Sequence, residues 1–184
     1  MCLLAKLFLD HKTLYYDVSG FVFYVLYEIE EGVLRPAGYF SKEKQSEEAY
    51  NLACIMILPP HQRKGYGRLL IELSYELCKR AGITGTPEKP LSDLGAITYR
   101  SFWTYELLRL LRTFPKSIVG VQELEMLTGF KGDDIVETLA PLDLIRTSNK
   151  HGITVHIKRD VVEEHWLLVS DKKHLRLDLE YVLT

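Results

Sequence analysis

The chain has 184 residues, 47% of them hydrophobic, and a formal net charge of −2. That is enough apolar material for one compact domain, or for one domain with a small appended lobe. The charge balance excludes the strongly basic footprint of a general duplex-DNA binder and is compatible with a basic, lysine-rich substrate.

The opening Met1 to Lys6 is apolar but too short to span a membrane or to act as a signal peptide, so no membrane partner is expected. Phe21 to Tyr27 is β-branched and aromatic and predicts a strand. Glu31-Gly32 predicts a turn, and Leu34 to Phe40 the returning strand, with Pro36 marking an edge or a bulge. Lys42 to Glu48 is charged and reads as a solvated loop. Leu52 to Leu58 is a nearly continuous apolar run, which suits a strand buried on both faces. A helix is expected after Gly67, with Leu69, Leu70, Leu73 and Leu77 on one face and Gly82 as its stop. Gly82 to Gly95 is rich in Pro, Gly, Thr and Ser and reads as a loop. Ser92 or Asp93 is placed to cap a second helix over Ile97 to Arg112.

Residues 113–120 read as a linker. Val121 to Leu127 and Asp133 to Leu139 predict two short helices, Gly152 to Ile157 a strand and Val161 to Leu168 a helix. Two helices followed by a strand pair are similar to a winged helix-turn-helix. The segment has no basic recognition face, so a packing lobe is the expected role, and direct DNA binding is not expected. The three cysteines, Cys2, Cys54 and Cys78, are odd in number and lack zinc-ligand spacing. Reduced intracellular thiols and no metal in this chain follow as the expectation.

The segment with the most chemical content is Gln62-Arg63-Lys64-Gly65-Tyr66-Gly67, between the apolar run and the first helix. Glycines there let the backbone turn tightly and let an anion approach the unpaired amides at a helix start. Arg63, Lys64 and Arg68 add positive charge. No third glycine follows at dinucleotide spacing, and no Gly-Lys-Ser or Gly-Lys-Thr follows as in a nucleotide-triphosphate loop. Two readings stay open on the hexapeptide alone: a cradle for the pyrophosphate of coenzyme A, and a surface turn with basic neighbours.

The flanking motifs are more specific. Leu7-Phe8-Leu9-Asp10-His11-Lys12-Thr13-Leu14-Tyr15-Tyr16-Asp17, Gly38-Tyr39-Phe40-Ser41-Lys42-Glu43-Lys44, Asn51-Leu52-Ala53-Cys54-Ile55, Thr86-Pro87-Glu88-Lys89-Pro90-Leu91-Ser92-Asp93-Leu94-Gly95 and Tyr99-Arg100-Ser101-Phe102-Trp103 occur in that order. Together they closely resemble the MYST family of histone acetyltransferases. The resemblance is strong over residues 1–112 and fades over 113–184, where only the element order is similar. It implies an α/β fold of the acetyltransferase type: a mixed, largely antiparallel sheet packed by helices around a coenzyme A cleft. The expected division is an acetyl-CoA-binding catalytic core over 1–112 and a small winged-helix-like lobe over 113–184. The family carries a zinc finger and further strands ahead of the first motif. Either this chain is a piece of a longer protein, or this member lacks that part.

The resemblance also assigns roles. Acetyl transfer to lysine needs a neutral amine, and only about one lysine in a few thousand is unprotonated near neutral pH. Glu88, between Pro87 and Pro90, matches the general base that meets this need; by residue type alone it is a solvated loop glutamate. Cys54 matches a proposed acyl acceptor, although a cysteine in an apolar strand is ordinarily inert. Two routes follow: transfer through Cys54, or direct attack of the amine within a ternary complex. Direct attack is favoured, because a thioester is already activated and no separate base for Cys54 is apparent. By the same resemblance the backbone of Ile55, Met56 and Ile57 pairs with the pantetheine arm. Gln62, Arg63, Lys64, Gly65, Tyr66, Gly67 and Arg68 hold the pyrophosphate, Ser92 lies near the thioester and Ser101 meets the outer part of the cofactor. Helix capping or solvation accounts equally for both serines. Lys12 matches the lysine that these enzymes acetylate on themselves.

His61 and Ser19-Gly20 depart from the family pattern, outside the expected chemistry. The implied function is acetylation of histone-tail lysines from acetyl-CoA, in the nucleus and within a multi-subunit chromatin complex. The competing readings are a small-amine acetyltransferase, a noncatalytic chromatin or DNA module, and an inactive truncated scaffold.

Overall fold

The structure is a computed structural model and describes residues 19–148, 152–171 and 173–182. It begins with a long hairpin of β1 (Phe21–Glu30) and β2 (Val33–Glu43). Glu31 and Gly32 both take positive φ, at 51° and 78°, the conformation that suits a two-residue turn to the strand twist. The register slips between Leu26 and Tyr27, where Gly38 and then Pro36 stand opposite. The expected bulge is therefore present, and Pro36, although in the middle strand of the sheet, lies beyond Gly38–Ser41, the stretch that pairs on the strand's other side, so it is locally an edge position. The bulge suits this position, since it relieves proline of a ladder bond that it cannot donate.

The apolar run after residue 50 does not form one strand. It breaks at Ala53 into β3 (Tyr50–Leu52) and β4 (Cys54–Ile57), which have different partners. β4 pairs antiparallel with β2, placing Met56 opposite Tyr39 and Cys54 opposite Ser41. β3 pairs in parallel with β5 (Thr86–Pro87), a short strand inside the expected loop. The expected strand buried on both faces is corrected accordingly: only Met56 of β4 is buried, because β4 forms the edge of its sheet. β2 also runs on through Glu43, into the expected solvated loop.

Helix α1 (Tyr66–Arg80) lies between this sheet and α2 (Asp93–Thr113). Leu70 packs with Phe40 and Leu52 on the sheet side. Ile71 and Tyr75 join Phe102, Trp103 and Leu107 on the other. The helix therefore buries two faces, not the single leucine stripe that its periodicity suggests. Gly82, at φ +66°, follows its C-terminus as expected.

The remainder forms β6 (Ile118–Gly120), α3 (Val121–Thr128), α4 (Gly132–Leu139), β7 (Ile145–Ser148), β8 (Gly152–His156) and α5 (Arg159–Ser170). The strands make one small antiparallel sheet in the order β6-β8-β7. Leu124, Ile135, Leu139, Val155 and Val162 are fully buried in the same hydrophobic cluster as Leu107, Leu108 and Leu111 of α2. The C-terminal elements thus share a continuous core with α2. The extended stretch after α5 runs beside α1. Leu175 approaches Gly65 at one end, Arg176 pairs with Glu72, and the carbonyls of Leu179 and Val182 accept from Arg80 at the other. No helix among the described residues is long and apolar enough to cross a membrane.

One carboxylate fastens the hairpin to the start of α1. Glu28 accepts from the Tyr66 hydroxyl at 2.7 Å and from Lys64 Nζ at 3.1 Å, and His61 Nδ1 stands 2.7 Å away. The Tyr66 hydrogen bond and then Lys64 hold its carboxyl down at about 2, against an ordinary 4.5. A carboxyl lowered in the folded state stabilises fully above its ordinary value, and that contribution disappears as pH falls from 4.5 toward 2. Glu28→Gln should therefore lower the thermal midpoint at pH 7, modestly because the group is partly exposed. The gap from the parent should shrink steadily below pH 4.5. Melting curves with the same gap at pH 6 and pH 3 would contradict this linkage.

Candidate active site

The glycine segment forms a turn onto the N-terminus of α1. Gly65 is the N-cap at φ +88°, a left-handed conformation suited to glycine. Arg63 is also left-handed, at φ +61°, which costs free energy in a residue with a side chain. The first backbone bond of the helix runs from the Leu69 amide to the Gly65 carbonyl at 3.1 Å. The amides of Tyr66, Gly67 and Arg68 stand ahead of it, where a helix has no carbonyl to offer them. A Cβ on Gly67 would meet only Ile57 Cγ1, at 3.8 Å, so the backbone there is open to approach. A donor set of leading amides at the positive end of a 15-residue helix suits an anion.

The side chains contribute less charge than the sequence suggests. Lys64 is held by Glu28. Arg68 is buried rather than displayed: its Nη2 donates to Glu106 at 3.3 Å, and the guanidinium lies 5.0 Å from the Phe102 ring centre and 4.6 Å from that of Tyr105. Glu106 also receives Arg109 and Arg176. Burial pulls Arg68 below the ordinary guanidinium value, with Glu106 opposing. Arg68 thus offers this turn its backbone amide, while its side chain knits α1 to α2. Gln62 donates from Nε2 to the Ile57 carbonyl at 3.1 Å, tying the turn to the end of β4. Arg63 is exposed.

Ile55, Met56 and Ile57 lie on β4, which pairs with β2 on one side only. Among the described residues no strand takes the other edge. An edge strand presents alternate amides and carbonyls, a template for any extended group that carries amides. Ile55 packs against two of the core clusters, that of the helices and that between sheet and α1, so this edge is fixed at the junction of sheet and helices.

Cys54 begins β4, partly exposed and as a free thiol. The pairing of β3 with β5 brings Glu88 to it: the Glu88 amide donates to the Leu52 carbonyl at 2.9 Å, two residues before Cys54. The glutamate side chain is exposed. A cavity of about 400 Å³ opens beside this loop, lined by Lys89, Leu91, Arg100, Trp103, Glu137 and Thr138 among others. Ser92 is the N-cap of α2, its Oγ accepting from the Gly95 amide at 3.1 Å. That leaves its hydroxyl proton available to a neighbour. Ser101 is exposed on α2. Lys12 lies outside the described residues.

Sequence reasoning missed Glu28, Glu106, Asp134 and Arg176. None belongs to a local motif; Glu106 pairs with Arg109 at helical spacing and Glu28 with His61 33 positions on, but each also meets a partner at least 36 positions away: Lys64 for Glu28, Arg68 for Glu106, Lys89 for Asp134 and Glu106 for Arg176. No spacing rule in a single sequence carries that signal. Among the described residues no group of three or more His, Cys, Asp or Glu is disposed to hold a metal ion.

A family model described as the MOZ/SAS family matches residues 1–182. Among similar proteins is MYST-like histone acetyltransferase 1 of Oryza sativa subsp. japonica, 60% identical over 184 residues, covering all of this chain and 40% of that protein. Histone acetyltransferase of the MYST family 1 from Arabidopsis thaliana is 58% identical over 146 residues, covering 79% of this chain and 33% of its own length. Histone acetyltransferase MOF of Drosophila melanogaster is 46% identical over 186 residues, covering all of this chain and 22% of its own length. The chain therefore spans less than half the length of these relatives. With a family model matched along almost its whole length and identities of this size, the chain belongs to the MOZ/SAS (MYST) family.

Proposed function

We propose that this chain carries the catalytic machinery of a lysine acetyltransferase that transfers the acetyl group of acetyl-CoA to histone tails. The observation that carries the reading is the junction at Ala53. It sets a strand edge open to an amide-bearing arm between an anion-binding helix start and a glutamate. MYST acetyltransferases use acetyl-CoA as donor, and relatives named histone acetyltransferases support the substrate class. Nuclear location, assembly into a chromatin complex and self-acetylation at Lys12 belong to the same proposal. So does the division into a catalytic core over 1–112 and a C-terminal lobe over 113–184 that packs rather than binds DNA.

The residues fit the cofactor. Tyr66, Gly67 and Arg68 would offer backbone amides to the pyrophosphate, with Gln62, Arg63, Lys64 and Gly65 forming the turn. The β4 backbone at Ile55, Met56 and Ile57 would pair with the pantetheine amides. Ser92 would donate its hydroxyl near the thioester, and Ser101 would meet the outer part of the cofactor. Acetyl-CoA, when bound, supplies an acetyl group already activated as a thioester. Glu88 takes one proton from the lysine ammonium, leaving a neutral amine able to attack the thioester carbonyl carbon; as the amide bond forms the carbon–sulfur bond would break, and coenzyme A would leave as the thiol with the second amine proton. Cys54 shapes the wall of the site, and the amine attacks without prior transfer to the thiol.

Three measurements test this reading. Gly67→Val should fold, because its Cβ has room, yet weaken acetyl-CoA binding by about ten- to a hundredfold through lost amide contacts; unchanged affinity in a folded variant would remove the cradle assignment. Cys54→Ala should keep most of its turnover at saturating acetyl-CoA and peptide. Abolished turnover with intact cofactor binding, and an acetyl-cysteine trapped on the parent, would establish the covalent route instead. Glu88→Gln should leave cofactor affinity nearly unchanged and lower turnover at pH 7 by about two to four powers of ten. The deficit should shrink at high pH, where more of the substrate amine is already neutral. Near-parent activity at pH 7, or a deficit independent of pH, would rule out Glu88 as the base.

A further inference from the structure

The loop that carries Glu88 is gripped from behind by the C-terminal lobe. Gly85 forms a parallel bridge with Phe130, its amide donating to the Gly129 carbonyl at 2.8 Å and its carbonyl accepting from the Lys131 amide at 3.2 Å. Phe130 is itself anchored, with its ring 4.5 Å from Tyr75 and 5.8 Å from Phe102. On the opposite side a Cβ at Gly85 would come within 2.6 Å of Asn51, so the backbone has no slack there.

A buried carboxylate from α4 completes the grip. Asp134 is 1% exposed, and its Oδ1 lies 3.4 Å from Lys89 Nζ. The Thr86 hydroxyl stands close enough to favour the ionised form of the carboxylate. It is not in full hydrogen-bond geometry, however, and both Thr86 Oγ1 and Asp134 Oδ2 remain without a proper partner. Burial pushes the Asp134 carboxyl above its ordinary value, opposed by Thr86 and Lys89. A carboxylate this deep, facing one half-exposed ammonium, is a poor source of stability, because desolvation offsets most of the attraction. Its two neighbours, Thr86 and Lys89, flank Glu88 in sequence.

We infer that Asp134 is a positioning residue, which fixes the Glu88 loop from the C-terminal lobe by pairing with Lys89 immediately after the base, while the Gly85–Phe130 bridge holds the loop ahead of it. The lobe thereby contributes to transfer without touching the substrate. The inference rests on the reading of Glu88 as general base. A loop held at both flanks keeps a carboxylate at a fixed approach to an amine, and a small misplacement of such a group is expensive in rate.

The test uses the whole 184-residue chain with Asp134→Asn, which keeps the shape and removes the charge. Amide hydrogen exchange at Thr86, Glu88 and Lys89 should quicken by about tenfold, while β4 and α1 keep parent protection. With histone peptide as substrate, kcat should fall by about ten- to a hundredfold, with the KM for acetyl-CoA held near the parent value. Lys89→Arg, which keeps the counter-charge to Asp134 at a half-exposed position but alters its reach, should move both readouts in the same direction and decides the matter if Asp134→Asn does not fold. Unchanged exchange at these amides overturns the inference, and so does faster exchange with an unchanged kcat. A parent chain that transfers no acetyl group defeats the proposed function instead, and the exchange measurement still decides whether Asp134 holds the loop.

Discussion

The site depends on a change of partner in the middle of one apolar run. Residues 50–52 pair in parallel with Thr86–Pro87, and residues 54–57 pair antiparallel with β2. A single strand through this stretch would have committed both sides to one ladder. The break at Ala53 leaves one edge of β4 without a strand among the described residues and draws the segment that ends in Glu88 to within two residues of Cys54. The segment that bears Glu88 and the amide-presenting edge thus come from parts of the chain about 30 residues apart in sequence, joined by a backbone hydrogen bond. Backbone pairing of this kind tolerates sequence change at the surrounding positions, because every residue except proline carries the same donor and acceptor.

Electrostatics around the helix start is arranged to fix structure first. Glu28 occupies Lys64 and Tyr66, and Glu106 occupies Arg68, Arg109 and Arg176. What remains for an anion is the set of leading amides and the exposed Arg63. Such a site relies on dipoles that are already oriented, and it loses little conformational freedom when a ligand arrives. The paired cations still serve it indirectly, since they hold α1 against the hairpin on one side and against α2 and the C-terminal stretch on the other.

The C-terminal elements share their core with α2, so the chemistry and the lobe are mechanically continuous. Leu124, Ile135 and Leu139 pack in one cluster with Leu107, Leu108 and Leu111. The Gly85–Phe130 bridge then extends that continuity to the loop that bears Glu88. A lobe that reads from sequence as mere packing is in this fold a wall behind the Glu88 loop.

Much was legible in the sequence because its physical basis is local. The hairpin follows from β-branched and aromatic residues around Glu31-Gly32, the stop of α1 from Gly82 and its start, two residues earlier than expected, from the glycine turn, and the start of α2 from Ser92. The glycine turn and five flanking motifs in their order, those around Glu88 and Cys54 among them, sufficed to expect the family to which the chain belongs. Tertiary structure alone decided the break at Ala53, the burial of Arg68 and the pairings of Glu28 and Asp134. These outcomes turn on which distant segment supplies a hydrogen-bond partner or a counter-charge. Periodicity reports which face of an element is apolar, whereas the identity of a partner 36 or more positions away is fixed only when the chain has closed on itself.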